Sequence, residues 1–118
     1  EAERLNVPLC IHGGRGDGVG GEYFKTFSEV HCYVFPASLM LHFTSVMFNA
    51  VPLRFPKLRL AFLETGATWL PFYLDRMARP RCAGATRDLG QSAVSHSCRR
   101  RFIAVVEPSA NPRCLLVR

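Results

Sequence analysis

Five stretches of the chain are dominated by apolar residues, and the spacing within them differs. Leu5-Asn6-Val7-Pro8-Leu9-Cys10-Ile11-His12 is short and almost continuously apolar, as strands buried on both faces of a parallel sheet are. It stops at Gly13-Gly14, which makes His12 the last side chain of the expected strand, at its carboxyl end. From Pro36 to Val51 the apolar residues Leu39, Phe43, Val46, Met47 and Ala50 recur every three or four positions, the stripe of a helix. Pro36 suits the first turn of that helix, where a missing N–H costs nothing, and Pro52 and Pro56 end it.

A second strand is expected over Leu58-Arg59-Leu60-Ala61-Phe62-Leu63-Glu64, ending in an acid before Thr65-Gly66. Thr68 is placed to cap a second helix from Trp69 to about Arg79, with Pro71 in its first turn and Trp69, Phe72, Tyr73 and Met77 on its buried face. A third apolar run, Phe102-Ile103-Ala104-Val105-Val106, ends at Glu107-Pro108, and Asn111-Pro112 marks a turn. Strand, helix, strand, helix, strand is the order of an α/β fold with about three parallel strands and two crossover helices. The 118 residues are read as one domain, within which 78–101 form an Arg-rich irregular connection.

Composition sharpens this picture. An apolar share of 48% and nine Phe allow a packed core and exclude general disorder. No uninterrupted apolar run reaches the roughly 18 residues of a membrane helix, so no membrane partner is expected. Five cysteines at 10, 32, 82, 98 and 114 form no CxxC pair and are odd in number. Together with the lack of a visible secretory signal, they point to free thiols in a reducing, cytoplasmic setting.

The net charge of +6 is uneven: residues 76–118 carry nine Arg against Asp88 and Glu107, whereas residues 1–75 are close to balance. Arg99-Arg100-Arg101 and its surroundings offer one route to nucleic acid, since phosphate contacts are made chiefly by Arg and Lys. Phe102 is the sole aromatic beside them, and a solvated face before a strand is the simpler reading, so nucleic acid is not the expected partner. Gly16-Asp17-Gly18-Val19-Gly20-Gly21 matches GxGxxG, yet about 20 residues on, where a dinucleotide site requires an acid at a strand end, the region around Leu41 offers only helical apolar residues. The glycines are expected instead to form a flexible loop.

Pro56-Lys57-Leu58-Arg59-Leu60-Ala61-Phe62-Leu63-Glu64-Thr65-Gly66, followed by Trp69-Leu70-Pro71 and Leu74-Asp75-Arg76-Met77, resembles the amidohydrolase-related family. This family comprises metal-dependent hydrolases and decarboxylases of the aminocarboxymuconate-semialdehyde decarboxylase type. Upstream, Leu5 to Gly14 looks like the family's fifth strand with its His-Gly-Gly ending, and Phe48-Asn49-Ala50-Val51 before Arg54-Phe55-Pro56 looks like its next helix and turn. The resemblance covers roughly residues 5–77, and 100–108 weakly resemble the following strand.

The resemblance implies a partial (β/α)₈ TIM barrel. It also implies metal-dependent hydrolysis or decarboxylation of a small carboxylate or cyclic substrate. His12 would be the metal ligand, for Zn²⁺ with Mn²⁺ or Fe²⁺ as alternatives. Glu64 stands where decarboxylases of the family carry a His. There it would serve as a general base or hold a ligating imidazole; a rim carboxylate paired to an Arg is the competing reading. Gly13, Gly14 and His31 would border the substrate pocket.

Two departures from the family pattern stand out. No first-strand His-x-His or Glu-x-His pair precedes the His12 strand, and three strands do not close a barrel of about 250 residues. The chain is therefore expected to be the middle to later part of such an enzyme. Two alternatives remain: a catalytically silent fragment that self-associates through open sheet edges, or a small basic binding module built on the Arg-rich connection.

Overall fold

The computed structural model describes residues 1–14, 18–78, 102–105 and 115–117. Strand β1 (Leu9–His12) leads through a 3₁₀ turn (Gly21–Tyr23) to the long helix α1 (Phe27–Phe48) and the single turn α2 (Val51–Arg54). Strand β2 (Leu60–Leu63), helix α3 (Trp69–Ala78), β3 (Phe102–Val105) and β4 (Leu115–Val117) follow. The fold is mixed α/β. Its sheet runs in the order β1-β2-β3-β4.

β1 and β2 are parallel, with Leu9 opposite Leu60 and His12 opposite Leu63. β3 continues the parallel run beside β2, pairing Ala61 with Ile103 and Leu63 with Val105. β4 adds antiparallel to β3, with Phe102 opposite Val117. An antiparallel strand is foreign to a (β/α)₈ barrel, whose strands all run one way. The Arg-rich connection after Ala78 lies outside the described residues, as do His96, Arg99 to Arg101 and Glu107.

β1 differs from the expected strand in length and in burial. Residues 1–6 form a turn rather than an extended lead-in: the Leu5 N–H donates to the Glu1 carbonyl at 3.0 Å, and Asn6 takes a left-handed conformation. That turn is fastened to the loop before β2, where the Lys57 N–H donates to Glu3 Oε1 at 2.7 Å and the Arg59 guanidinium donates to the Asn6 carbonyl. β1 is the outer strand of the sheet among the described residues, and Leu9 stays 46% exposed. An apolar run says that a strand can be buried on both faces, but among the described residues β1 pairs with β2 alone.

Helix α1 starts nine residues before the position expected from Pro36. Its start is fixed by a capping box: Thr26 Oγ1 accepts from the Glu29 N–H, and Glu29 Oε2 accepts in return from the Thr26 N–H at 2.9 Å. Pro36 therefore sits inside the helix, where it has no N–H to give to the carbonyl one turn back. At the other end, Asn49 caps the helix and Ala50 adopts a left-handed backbone before α2, which carries Pro52 in its first turn. α3 begins right after Thr68 with Pro71 in its first turn, as expected.

The core lies between α1, β2 and α3. Leu39, Phe43 and Met47 of α1 are fully buried against Leu60 and Phe62 of β2 and against Trp69, Leu70 and Met77 of α3. The Phe43 ring stands edge-on to Phe62 at 5.4 Å and to Trp69 at 5.5 Å, the tilted geometry that aromatic quadrupoles favour. A second tie is polar: the Tyr73 hydroxyl meets Thr44 Oγ1 at 2.7 Å, joining α3 to α1. By length and composition α1 would also cross a membrane, at 22 residues and mean hydropathy 1.2. In this structure Leu39, Phe43 and Met47 pack into the core, whereas Phe27, Tyr33 and Leu41 of the same helix are exposed.

Candidate functional site

His12 closes β1 and Glu64 follows directly on the last residue of β2. Because the strands are parallel and His12 is in register with Leu63, both side chains emerge at the same end of the sheet. They meet there: His12 Nε2 lies 3.1 Å from Glu64 Oε1, with the two side chains about half exposed. The carboxyl end of parallel strands is where α/β folds build their sites.

Backbone geometry on both sides creates this meeting. On the β1 side, His12 Nδ1 lies 2.7 Å from the carbonyl oxygen of Gly13. A carbonyl only accepts, so Nδ1 carries the hydrogen and Nε2 is turned towards Glu64. On the β2 side, Glu64 has φ 68°, a left-handed conformation that is uncommon for a residue with a Cβ. Gly66 repeats the left-handed turn two residues later, and its carbonyl accepts from Trp69 Nε1 at 3.0 Å, which anchors the loop to the core. Between them, Thr65 Oγ1 is buried without a hydrogen-bond partner among the described residues.

The electrostatics follow from these contacts. The hydrogen bond to Gly13, then the hydrogen bond to Glu64 and its negative charge, raise the His12 pKa above the ordinary imidazole value. Among the described residues no Arg is paired with Glu64. Its close partner is His12.

The other expected site residues are placed as follows. Gly13 is buried against α1: a Cβ there would meet Phe35 Cδ1 at 3.0 Å, so the absence of a side chain has a packing reason. Gly14 is exposed, with open space where its side chain would be. His31 is exposed on α1 and stacks between Phe27, at 5.5 Å, and Phe35, at 4.7 Å. Its link to the strand end therefore runs through the Phe35 ring rather than through a direct contact. The i, i+4, i+8 spacing of Phe27, His31 and Phe35 was the available signal for this ladder. Of the glycine loop, Gly18 and Gly20 adopt left-handed angles, and Gly20 backs onto the Tyr33 ring.

His12 and Glu64 are residue types found among the ligands of divalent ions. A ligating imidazole ordinarily donates its other N–H to a carbonyl or carboxylate, as Nδ1 does to Gly13, and offers the remaining nitrogen to the metal. Glu64 provides a hard oxygen beside it. No group of three or more His, Cys, Asp or Glu side chains gathers among the described residues, so His12 and Glu64 stand as two donors. No family model matches the chain, and no curated protein matches it.

Proposed function

We propose that this chain carries part of the active-site mouth of a metal-dependent hydrolase or carboxy-lyase of the amidohydrolase-related kind, acting on a small carboxylate or cyclic substrate. The observation that supports this reading is the His12–Glu64 contact at the shared end of two parallel strands. In this reading His12 holds the divalent ion, Zn²⁺ before Mn²⁺ or Fe²⁺. The ion, when bound, polarises the substrate and brings a bound water to a pKa of about 7. The described residues bring no third donor to His12 and Glu64.

The chain's own groups have distinct tasks. The Gly13 carbonyl fixes the imidazole in one tautomer by accepting from Nδ1. Glu64 sits where it can accept a proton at Oε1 and return it to a leaving group at the strand end. Gly14 leaves the approach open, and the Phe35–His31 ladder borders the far side of Gly13. A reducing, cytoplasmic setting belongs to the same reading, in keeping with the exposed free thiols of Cys10 and Cys32.

A second reading, a catalytically silent partial barrel that associates through its edge, draws on β1 as an outer strand with Leu9 exposed. Metal analysis of the purified chain separates the two. Bound zinc near one equivalent that disappears in His12→Ala, with zinc-dependent turnover in a panel of small carboxylates and cyclic amides, is the expected result. Zinc that survives the substitution would remove the ligand role, and a turnover-free panel with a concentration-dependent dimer would favour the silent partial barrel.

A further inference from the structure

We propose that the turn at residues 1–6 is a clasp that sets the register of β1 on β2. Glu3 and Arg59 are then positioning residues for the His12–Glu64 contact at the opposite end of the strands. The clasp acts through β1 itself, whichever chemistry that contact serves. β1 pairs with β2 over four residues, from Leu9 opposite Leu60 to His12 opposite Leu63. Burial normally dictates register, because a one-residue slip turns every side chain to the other face. Burial says little at β1: Leu9, Cys10 and His12 are exposed. Ile11, half-buried against the core, is the one β1 side chain whose packing resists a slip.

Sterics at the end of β1 leave one slip open. A Cβ at Gly13 would meet Phe35 Cδ1 at 3.0 Å, so that place takes only a glycine without adjustment. Gly14 is the next residue and fits it equally well. A slip of about 3.3 Å that carries Gly14 there sets His12 opposite Phe62 instead of Leu63. The imidazole then turns to the opposite face of the sheet, off Glu64. The reverse slip is blocked, because it presses the His12 Cβ onto Phe35.

Contacts at the start of β1 exclude the open slip. The Lys57 N–H donates to Glu3 Oε1 at 2.7 Å, and the Arg59 guanidinium donates to the carbonyl and Oδ1 of Asn6. Lys57 and Arg59 lie on the lead-in to β2, so both ties are made to the neighbouring strand's own segment. The turn that presents Glu3 and Asn6 is closed by its backbone, with the Leu5 N–H donating to Glu1 and the Val7 N–H to Ala2, at 3.0 and 3.1 Å. A shift of one residue along β2 carries Glu3 out of hydrogen-bond range of Lys57, beyond about 3.5 Å. The Glu3 tie is the stricter of the two, because its donor is backbone and does not follow the turn.

The test reads register directly. Solution NMR of the intact chain follows the cross-strand contacts of the His12 backbone, to Leu63 in the observed register and to Phe62 in the slipped one. Removing one tie, in Glu3→Leu or Arg59→Met, is expected to lower the ratio of observed to slipped register roughly fivefold, and the double variant roughly 25-fold. Glu3→Gln keeps an oxygen for the Lys57 N–H and is expected to hold the parent ratio. Gly14→Ala adds a Cβ that meets open space in the observed register and Phe35 in the slipped one. It is therefore expected to restore the His12–Leu63 contacts to the double variant, although it lies at the far end of the strand. A clasp that merely adds stability would gain nothing from Gly14→Ala. Circular dichroism of each variant checks that the helices persist. A double variant that keeps His12 opposite Leu63 with no Phe62 contact would overturn the proposal. So would a loss of the Leu63 contact that Gly14→Ala fails to reverse.

Discussion

Phe35 of α1 occupies the space that a side chain on Gly13 would need: its Cδ1 lies 3.0 Å from the position of a Cβ. The end of β1 and the third turn of α1 are thus fitted closely together. Gly13→Ala is expected to push the Phe35 ring aside, at a cost of about 1–3 kcal/mol, in the range of overpacked sites. Urea unfolding checks this. A loss that disappears in the double variant Gly13→Ala with Phe35→Leu would assign the cost to this contact.

Thr26 and Glu29 predict a cap-specific response. Thr26→Ala removes one half of the capping box and is expected to cost about 1 kcal/mol, read as a lower urea midpoint with unchanged slope. Acid acts on the other half. The hydrogen bonds from the Thr26 hydroxyl and N–H hold the Glu29 carboxyl below its ordinary pKa. A depressed folded value means the contribution is present above the unfolded pKa and fades as pH falls through the folded one. Stability measured from pH 6 downward is therefore expected to fall less steeply in Glu29→Gln than in the parent chain.

The aromatic centre predicts the largest single loss. Phe43 is fully buried, with Phe62 and Trp69 edge-on to it and Tyr73 at 6.2 Å. Phe43→Ala is expected to cost about 3–5 kcal/mol, a large share of what a small domain has. Phe43→Leu is expected to lose much less. Thermal unfolding followed by the near-ultraviolet signal of Trp69 reports both.

Pro36 predicts a gain. Inside a helix a proline removes one hydrogen bond and crowds the preceding turn, a penalty of about 3 kcal/mol. Pro36→Ala is expected to recover part of it and raise the melting temperature, and an unchanged or lower value would show that the ring's own packing outweighs the missing bond.

These sites also show what was legible in the chain. β2 is legible because Leu60, Ala61 and Phe62 are inside as its apolar run implies, whereas α3 is legible only in part: Trp69 and Met77 are buried, Tyr73 is half-buried, and Phe72, expected on the buried face, is 64% exposed while Leu70 is buried instead. The meeting of His12 and Glu64 was readable from two strand endings alone. The start of α1 is hidden in the sequence, because Pro36 has a known place in first turns while the Thr26-Phe27-Ser28-Glu29 capping box that sets the start lies ten residues upstream. The lead-in to β1 misled because Leu5 and Val7 look like strand residues, yet the neighbouring Asn6 tolerates the left-handed turn that the Glu1 and Ala2 carbonyls close. The antiparallel addition of β4 depends on long-range pairing that no local pattern encodes.

The left-handed backbone at position 64 also limits which mutations evolution can try there. Valine, isoleucine and threonine would crowd their own branched Cβ against the chain, whereas asparagine, aspartate, histidine and glycine accept such angles with little strain. The residues that conformation admits most easily include two metal-binding chemistries, an acid and an imidazole. A change of ligand type at this corner is thus a short mutational step, whereas its replacement by a branched aliphatic residue would require rebuilding the loop.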